Sequence, residues 1–293
     1  MKYKKKNNPI VKASILLILT GGVVFYFAAH YFSSPEDFTL PPDSPIIEAP
    51  VVDVPDSLFA DEPDGQVMME RFNEYFERNN DLVGWIRVPN TVIDYPVVYC
   101  DDNDFYLHHD FNRRPTKDGT PFLDMSADLY TRNHSLSLYG HYLTSGRMFT
   151  ALHNYKDLNY YRDYPLFQFD TLYEEGTFKI FSVFYMAGNS SDRLFYYYPF
   201  SYFSTDEAFM NHVNELTVRS IFNTTVGVEP GDQLVLLTCC TYEVDNLRLI
   251  IAGRRVRPGE SLFVDTTNAV LNPAPLYPQK WYDARGGSPP DLS

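Results

Sequence analysis

Two adjacent cysteines, Cys239 and Cys240, close the apolar run Leu234-Val235-Leu236-Leu237-Thr238, and the polar stretch Thr241-Tyr242-Glu243-Val244-Asp245-Asn246 follows them. A cysteine in mid-strand behaves as an inert small hydrophobe. One at a strand end beside a polar loop has the solvent access that a nucleophile needs. The next run, Leu247-Arg248-Leu249-Ile250-Ile251-Ala252-Gly253, reads as a second strand. A strand, short loop and strand fold back as a hairpin, which returns Arg248 to the side of the cysteines. Arginine is always charged and directs several donors, so it suits a site where an oxyanion develops. The third piece is Leu136-Ser137-Leu138-Tyr139-Gly140-His141, a strand that runs out at a glycine and presents a histidine at its mouth. Histidine exchanges protons near neutral pH. Cysteine, arginine and histidine at three strand ends together suit acyl transfer through a covalent thioacyl intermediate.

Other chemistries find less support. There is no G-x-S-x-G elbow and no H-E-x-x-H, and the adjacent His108 and His109 point in different directions on any regular element. No metal and no cofactor is expected. Asn133, Asn189 and Asn223 fit N-x-[ST], a pattern too common to carry an argument. Cys100 follows a β-rich run and reads as structural. A thiol redox protein built on Cys239-Cys240 is an alternative, although adjacent cysteines lack C-x-x-C spacing. A cysteine hydrolase that passes the acyl group to water instead of an amine is another.

The elements that must position these residues lie between about 65 and 257. Gly65 to Asn79 reads as an amphipathic helix with Met68, Phe72, Tyr75 and Phe76 on one stripe. Short β-like runs follow at Trp85 to Val88, Val92 to Tyr99, Ser135 to Tyr139, Thr177 to Tyr185, Gln233 to Leu237 and Arg248 to Val256. Ser204 and Glu207 form a capping box ahead of the stripe Phe209, Val213, Leu216. Many short strands with a few helices predict a mainly β fold, a closed or nearly closed barrel with helical decoration.

Charge divides the chain further. The formal net charge of -14 argues against nucleic acid as a partner, because phosphate binding requires basic surface. Residues 1–12, a basic cytoplasmic stub, hold all five lysines found before Ser33, and no acidic residue precedes that point. Residues 13–32 are uncharged, and twenty helical residues span about 30 Å, the thickness of a bilayer's hydrocarbon core. With the lysines ahead of it, this segment reads as a single-pass anchor that leaves the N-terminus cytoplasmic and the remainder outside. A cleaved signal peptide is the rival reading. Residues 33–64 carry seven prolines and nine acids with no Lys or Arg, the composition of an extended linker. Residues 258–293 form a proline-rich tail, expected to be loosely packed beyond about 270.

With these residues in place, the chain resembles the class B branch of the sortases, cysteine transpeptidases of Gram-positive bacteria. Tyr139-Gly140-His141 and Ser145-Gly146-Arg147-Met148-Phe149 resemble that family's Y-G-H segment and its G-x-M-F continuation. Asp232 to Cys240 is similar to the strand bearing the T-L-x-T-C motif, and Thr241-Tyr242-Glu243 with Arg248 resembles class B in particular. So do Gly84 to Pro89, Asp94 to Val97, Asp104 to Leu107 and Phe122 to Asp124. The resemblance covers roughly 65–257. It implies a sortase-like closed β-barrel with an N-terminal helix and a helix inserted before the cysteine strand. It implies Cys240 as nucleophile, His141 as general acid and base, and Arg248 as stabiliser of oxyanion and substrate. The expected substrates are surface proteins with a C-terminal sorting motif, and the expected acceptor is the amine of a peptidoglycan precursor or of a pilin lysine. One departure stands out: the family has threonine before its cysteine, and here that place is Cys239. Ungapped matching from Asp232 forward and from Arg248 backward places the nucleophile at Cys240. Using Thr238-Cys239 instead would break both flanks.

Overall fold

The computed structural model describes residues 67–127, 135–188 and 203–290. The anchor expected over 13–32 and the linker over 33–64 lie outside the described residues. Among the described residues, no helix is long and apolar enough to cross a membrane.

The chain enters through a 3-10 turn, Glu70–Phe72, that runs into helix α1 (Asn73–Arg78). This helix is shorter than its apolar stripe predicts. Before it, Met69 N–H donates to the Leu172 carbonyl at 2.8 Å, an inter-element bond in place of a helical one. After it, Asn79 turns extended and spends its side chain on Tyr106 Oη (2.8 Å) and the Phe111 carbonyl (2.9 Å). The stripe still buries Phe72 against Leu82 and Leu172, with Met68, Tyr75 and Phe76 around it.

Strands β1 (Leu82–Arg87) and β2 (Asp94–Val98) form a hairpin whose turn uses Asn90 at φ 58°. The short β3 (Phe122–Leu123) runs parallel to β2 and antiparallel to β4 (Ser135–Gly140). A 3-10 segment, Phe149–Lys156, leads into α2 (Leu158–Asp163), followed by the hairpin of β5 (Leu166–Thr171) and β6 (Thr177–Ala187). Then come α3 (Asp206–Val218), β7 (Phe222–Asn223), β8 (Leu234–Thr241), β9 (Leu247–Arg255), β10 (Val270–Leu271) and α4 (Gln279–Arg285). Eight strands close into a barrel in the order β1-β2-β3-β4-β8-β9-β6-β5, and the β1–β5 ladder completes it.

Alternation along the strands then assigns every side chain to one face. Leu138 of β4, Val235, Leu237 and Cys239 of β8, and Leu249 and Ile251 of β9 fill the barrel. Leu234 and Leu236 of β8 and Ile250 and Ala252 of β9 point outward, under Phe209, Val213 and Leu216 of α3. The cap of α3 is Thr205, one residue after the predicted Ser204. Thr205 is the extended residue at the entrance, and its Oγ1 accepts from Ala208 N–H at 3.1 Å.

The expectation of a loose tail beyond about 270 is corrected. Strand β10 pairs with β7, Asn272 Nδ2 donates to the Ser220 carbonyl (2.8 Å), and Leu276 is buried. In α4, Trp281 stacks on Tyr277 at 4.3 Å and lies over Tyr185 at 4.8 Å. Prolines forbid long ladders here, but they leave side chains free to anchor an irregular chain.

Candidate active site

Cys240 occupies the penultimate position of β8, directly across the antiparallel ladder from Arg248 of β9. It continues the outward row Leu234, Leu236, Thr238, past the reach of α3, and its side chain is exposed. Cys239 points the other way and is 1% exposed within the barrel. Burial pushes the Cys239 thiol well above its ordinary range, the neighbouring Cys240 adds to this, and Arg248 opposes it. A buried thiol held protonated is a poor nucleophile. The two thiols are free and face opposite sides of the strand.

His141 arrives from the other flank. Strand β4 runs parallel to β8, with Tyr139 beside Thr238 and Gly140 beside Cys239, so the next residue of each chain is His141 and Cys240. Gly140 is required here, because a Cβ would lie 2.4 Å from the ring of Phe149. Phe149 N–H in turn donates to the His141 carbonyl at 3.0 Å, which fixes the backbone where β4 ends. The imidazole Nε2 lies 2.8 Å from the Leu107 carbonyl. A carbonyl only accepts, so Nε2 carries the proton, and Nδ1 is left as the ring nitrogen that can exchange one. Gly119, at φ 66°, makes room for this ring: a Cβ there would sit 3.0 Å from His141 Cδ2.

Arg248 leans back along the barrel, with its Cζ 5.8 Å from the centroid of the Tyr139 ring. Tyr139 Oη donates to the buried Asp124 carboxylate at 2.9 Å, and Asn103 Nδ2 and Ser126 Oγ donate to the same carboxylate at 3.1 and 2.6 Å. The platform under the guanidinium is therefore itself held.

Comparison with known proteins follows this geometry. No family model matches the chain. Sortase B of Staphylococcus aureus is 27% identical over 202 residues, covering 66% of this chain and 80% of that protein. Sortase B of Listeria monocytogenes is 28% identical over 180 residues, covering 61% and 71% respectively. A crystal structure of a Bacillus anthracis protein similar to sortase B superposes with a TM-score of 0.59 at 29% identity, over 67% of this chain and 86% of that one. The chain is a class B sortase homologue.

Within this sortase homologue, His153, Lys156, Tyr185 and Arg285 lie near the cysteine hairpin with no signal in the sequence to place them there. His153 Nε2 lies 3.1 Å from the Cys240 carbonyl, from a position 87 residues away. Burial lowers the His153 pKa, and Lys156 adds to this, while the Cys240 carbonyl and Glu243 act against it. A carbonyl only accepts, so Nε2–H is the donor in this contact. Glu243, in the loop between β8 and β9, pairs with Lys156 and accepts from Tyr185 Oη at 3.0 Å, and Arg285 of α4 lies 3.6 Å away. Burial works against ionisation of Glu243, yet Lys156, Tyr185 and Arg285 hold its carboxyl below the usual range. Only the fold brings these residues together.

The remaining candidates are accounted for locally. His109 stacks on Phe105 at 4.0 Å and its Nδ1 lies 2.7 Å from the Phe105 carbonyl, while His108 sits 3.7 Å from Asp104. Among the described residues, no three His, Cys, Asp or Glu side chains gather as a metal site. Cys100 donates to the Asp102 carbonyl at 2.9 Å, and burial, partly offset by that bond, pushes its thiol up to about 11.

Proposed function

We propose that the chain is a membrane-anchored transpeptidase that cleaves a C-terminal sorting signal after a threonine and passes the acyl group to an amine. The observation that carries this reading is the facing of Cys240 and Arg248 on an uncovered stretch of the barrel, with His141 just past the end of the adjacent strand. Cys240 gives its thiol proton to His141 as Sγ attacks the threonine carbonyl, and the guanidinium of Arg248 stabilises the oxyanion of the tetrahedral intermediate. His141 protonates the departing amine and the C–N bond breaks, leaving a thioacyl group on Cys240. An amine of a peptidoglycan precursor or of a pilin lysine then resolves it. The kinship with sortase B proteins supports the reaction class. The lysine-led apolar segment 13–32 supports placing the catalytic domain outside the membrane, after the acidic, proline-rich stretch 33–64.

The test is a peptide-library cleavage profile with the full chain, followed by mass detection of the thioacyl adduct. Adduct formation by wild type and by Cys239→Ala, with none in Cys240→Ala, is the expected result. Adduct in Cys240→Ala and none in Cys239→Ala would transfer the role to Cys239. Product released only to water in the presence of amines would make the chain a hydrolase.

A further inference from the structure

Past the ends of β4 and β8, the chain builds an aromatic wall to which the reaction above gives no role. Tyr142 follows His141, and Tyr242 stands two residues beyond Cys240; their rings meet edge to face at 5.1 Å. Tyr142 also packs edge-on to His153 at 4.6 Å, the residue whose Nε2 reaches the Cys240 carbonyl. Tyr242 is 76% exposed, although its neighbour Glu243 is tied down by Lys156 and Tyr185. An anchored loop that holds a large ring in water gains no core stability from that ring.

The wall and Arg248 flank Cys240 from opposite directions along the strands. The guanidinium leans over Tyr139, whose partner Thr238 precedes the nucleophile, whereas Tyr142 and Tyr242 rise beyond it. Because His141 protonates the departing amine in the reaction above, that amine leaves on the His141 side. The amine that enters in the second half-reaction uses the same general acid-base group and the same route.

We propose that Tyr142 and Tyr242 form the acceptor wall of this site, receiving the primary ammonium of a peptide's aliphatic arm and holding it against the thioacyl group. This inference rests on the transpeptidase reading. Aromatic faces attract ammonium groups, and an aliphatic arm packs on their rings. Beyond His153 the surface falls into a cavity of about 720 Å³, lined in part by Asn154, Asp157, Asn159 and Tyr160, and by Lys156, whose charge is paired with Glu243. The amides of Asn154 and Asn159 there can hydrogen-bond a peptide backbone. The ammonium gives one proton to the His141 imidazole, and its nitrogen attacks the thioester carbonyl. As the C–N bond forms and the amine's second proton is lost to water, the C–Sγ bond breaks. Cys240 leaves as thiolate and takes the proton held by the imidazolium.

The experiment uses the full chain acylated by its cleavable peptide, then offered water, hydroxylamine or Nα-acetyl-lysine amide. Hydroxylamine is too small to need a wall. In Tyr242→Ala, thioacyl formation and hydroxylamine transfer should proceed at wild-type rates, while transfer to the lysine derivative falls about five- to tenfold. Hydrolysis should take up the difference, Tyr242→Phe should behave as wild type, and Tyr142→Leu should repeat the partition shift. Unchanged transfer in Tyr242→Ala, an equal loss with hydroxylamine, or slowed thioacyl formation overturns the acceptor wall. So does a wild-type chain that forms the adduct and never transfers it to the lysine derivative. A wild-type chain that forms no adduct overturns the transpeptidase reading itself.

Discussion

The outward faces of β8 and β9 consist of two regions with the same backbone and opposite fates. At one end, Leu234, Leu236, Ile250 and Ala252 lie sealed under α3. At the other, beyond the still-buried Thr238, Cys240 and Arg248 continue the same rows past the helix. The ladder register is continuous from Leu234↔Arg254 to Thr241↔Leu247, so pairing does not distinguish the two ends. Coverage does. Where a helix excludes water the strand face becomes core, and where it does not the face can meet a substrate.

Substitutions at the two ends should therefore separate cleanly. The largest effect is expected at the uncovered end: Cys240→Ala should lower peptide cleavage by at least about a thousandfold with the melting temperature unchanged. Arg248→Lys keeps the charge but loses the fork geometry, and should cost about a hundredfold in kcat/KM for the sorting peptide. At the covered end, Leu236→Ala should cost about 2–4 kcal/mol in urea unfolding while turnover per folded molecule is preserved. A matching loss of turnover would show that the covered end also shapes the site. Cys239→Ala, inside the barrel, should cost about 1 kcal/mol and keep activity.

The smallest effect concerns the loop that joins the ends of β8 and β9. The Glu243 carboxyl has a depressed pKa in the fold, so its contribution is present above the unfolded-state pKa and lost as pH falls through the folded-state value. Solvent screening limits the contribution to about 0.5–1 kcal/mol. Glu243→Gln should be less stable than wild type by that amount at pH 7, and the gap should close as both are taken down through the acid range. A gap independent of pH would assign the effect to packing instead.

Much of this contrast is legible along the chain. The apolar run ending at Cys239-Cys240, the turn-rich loop and the start at Leu247 define a hairpin, and a two-residue period places Cys240 and Arg248 on one face. The stripe Phe209, Val213, Leu216 announces a helix with one buried side. Where that helix docks is not legible, since nothing local specifies which strand face it covers. The packing of the tail is hidden from the sequence for a related reason. Proline content reports local backbone restriction, whereas Trp281, Tyr277 and Asn272 find partners 50 to 100 residues away. His153 belongs to the same class: a lone histidine in a 3-10 segment carries no mark of a carbonyl 87 residues later.

By itself, the sequence determined the kinds of chemistry available and the alternation that separates Cys239 from Cys240, because residue type and strand period are local properties. The tertiary structure decided that Cys240 meets solvent while Leu236 does not, that His141 arrives on a parallel neighbour in register, and that His153, Lys156 and Arg285 gather round the cysteine hairpin. These depend on barrel closure and on helix placement, which arise from burying many side chains at once and cannot be assigned to any single stretch of chain.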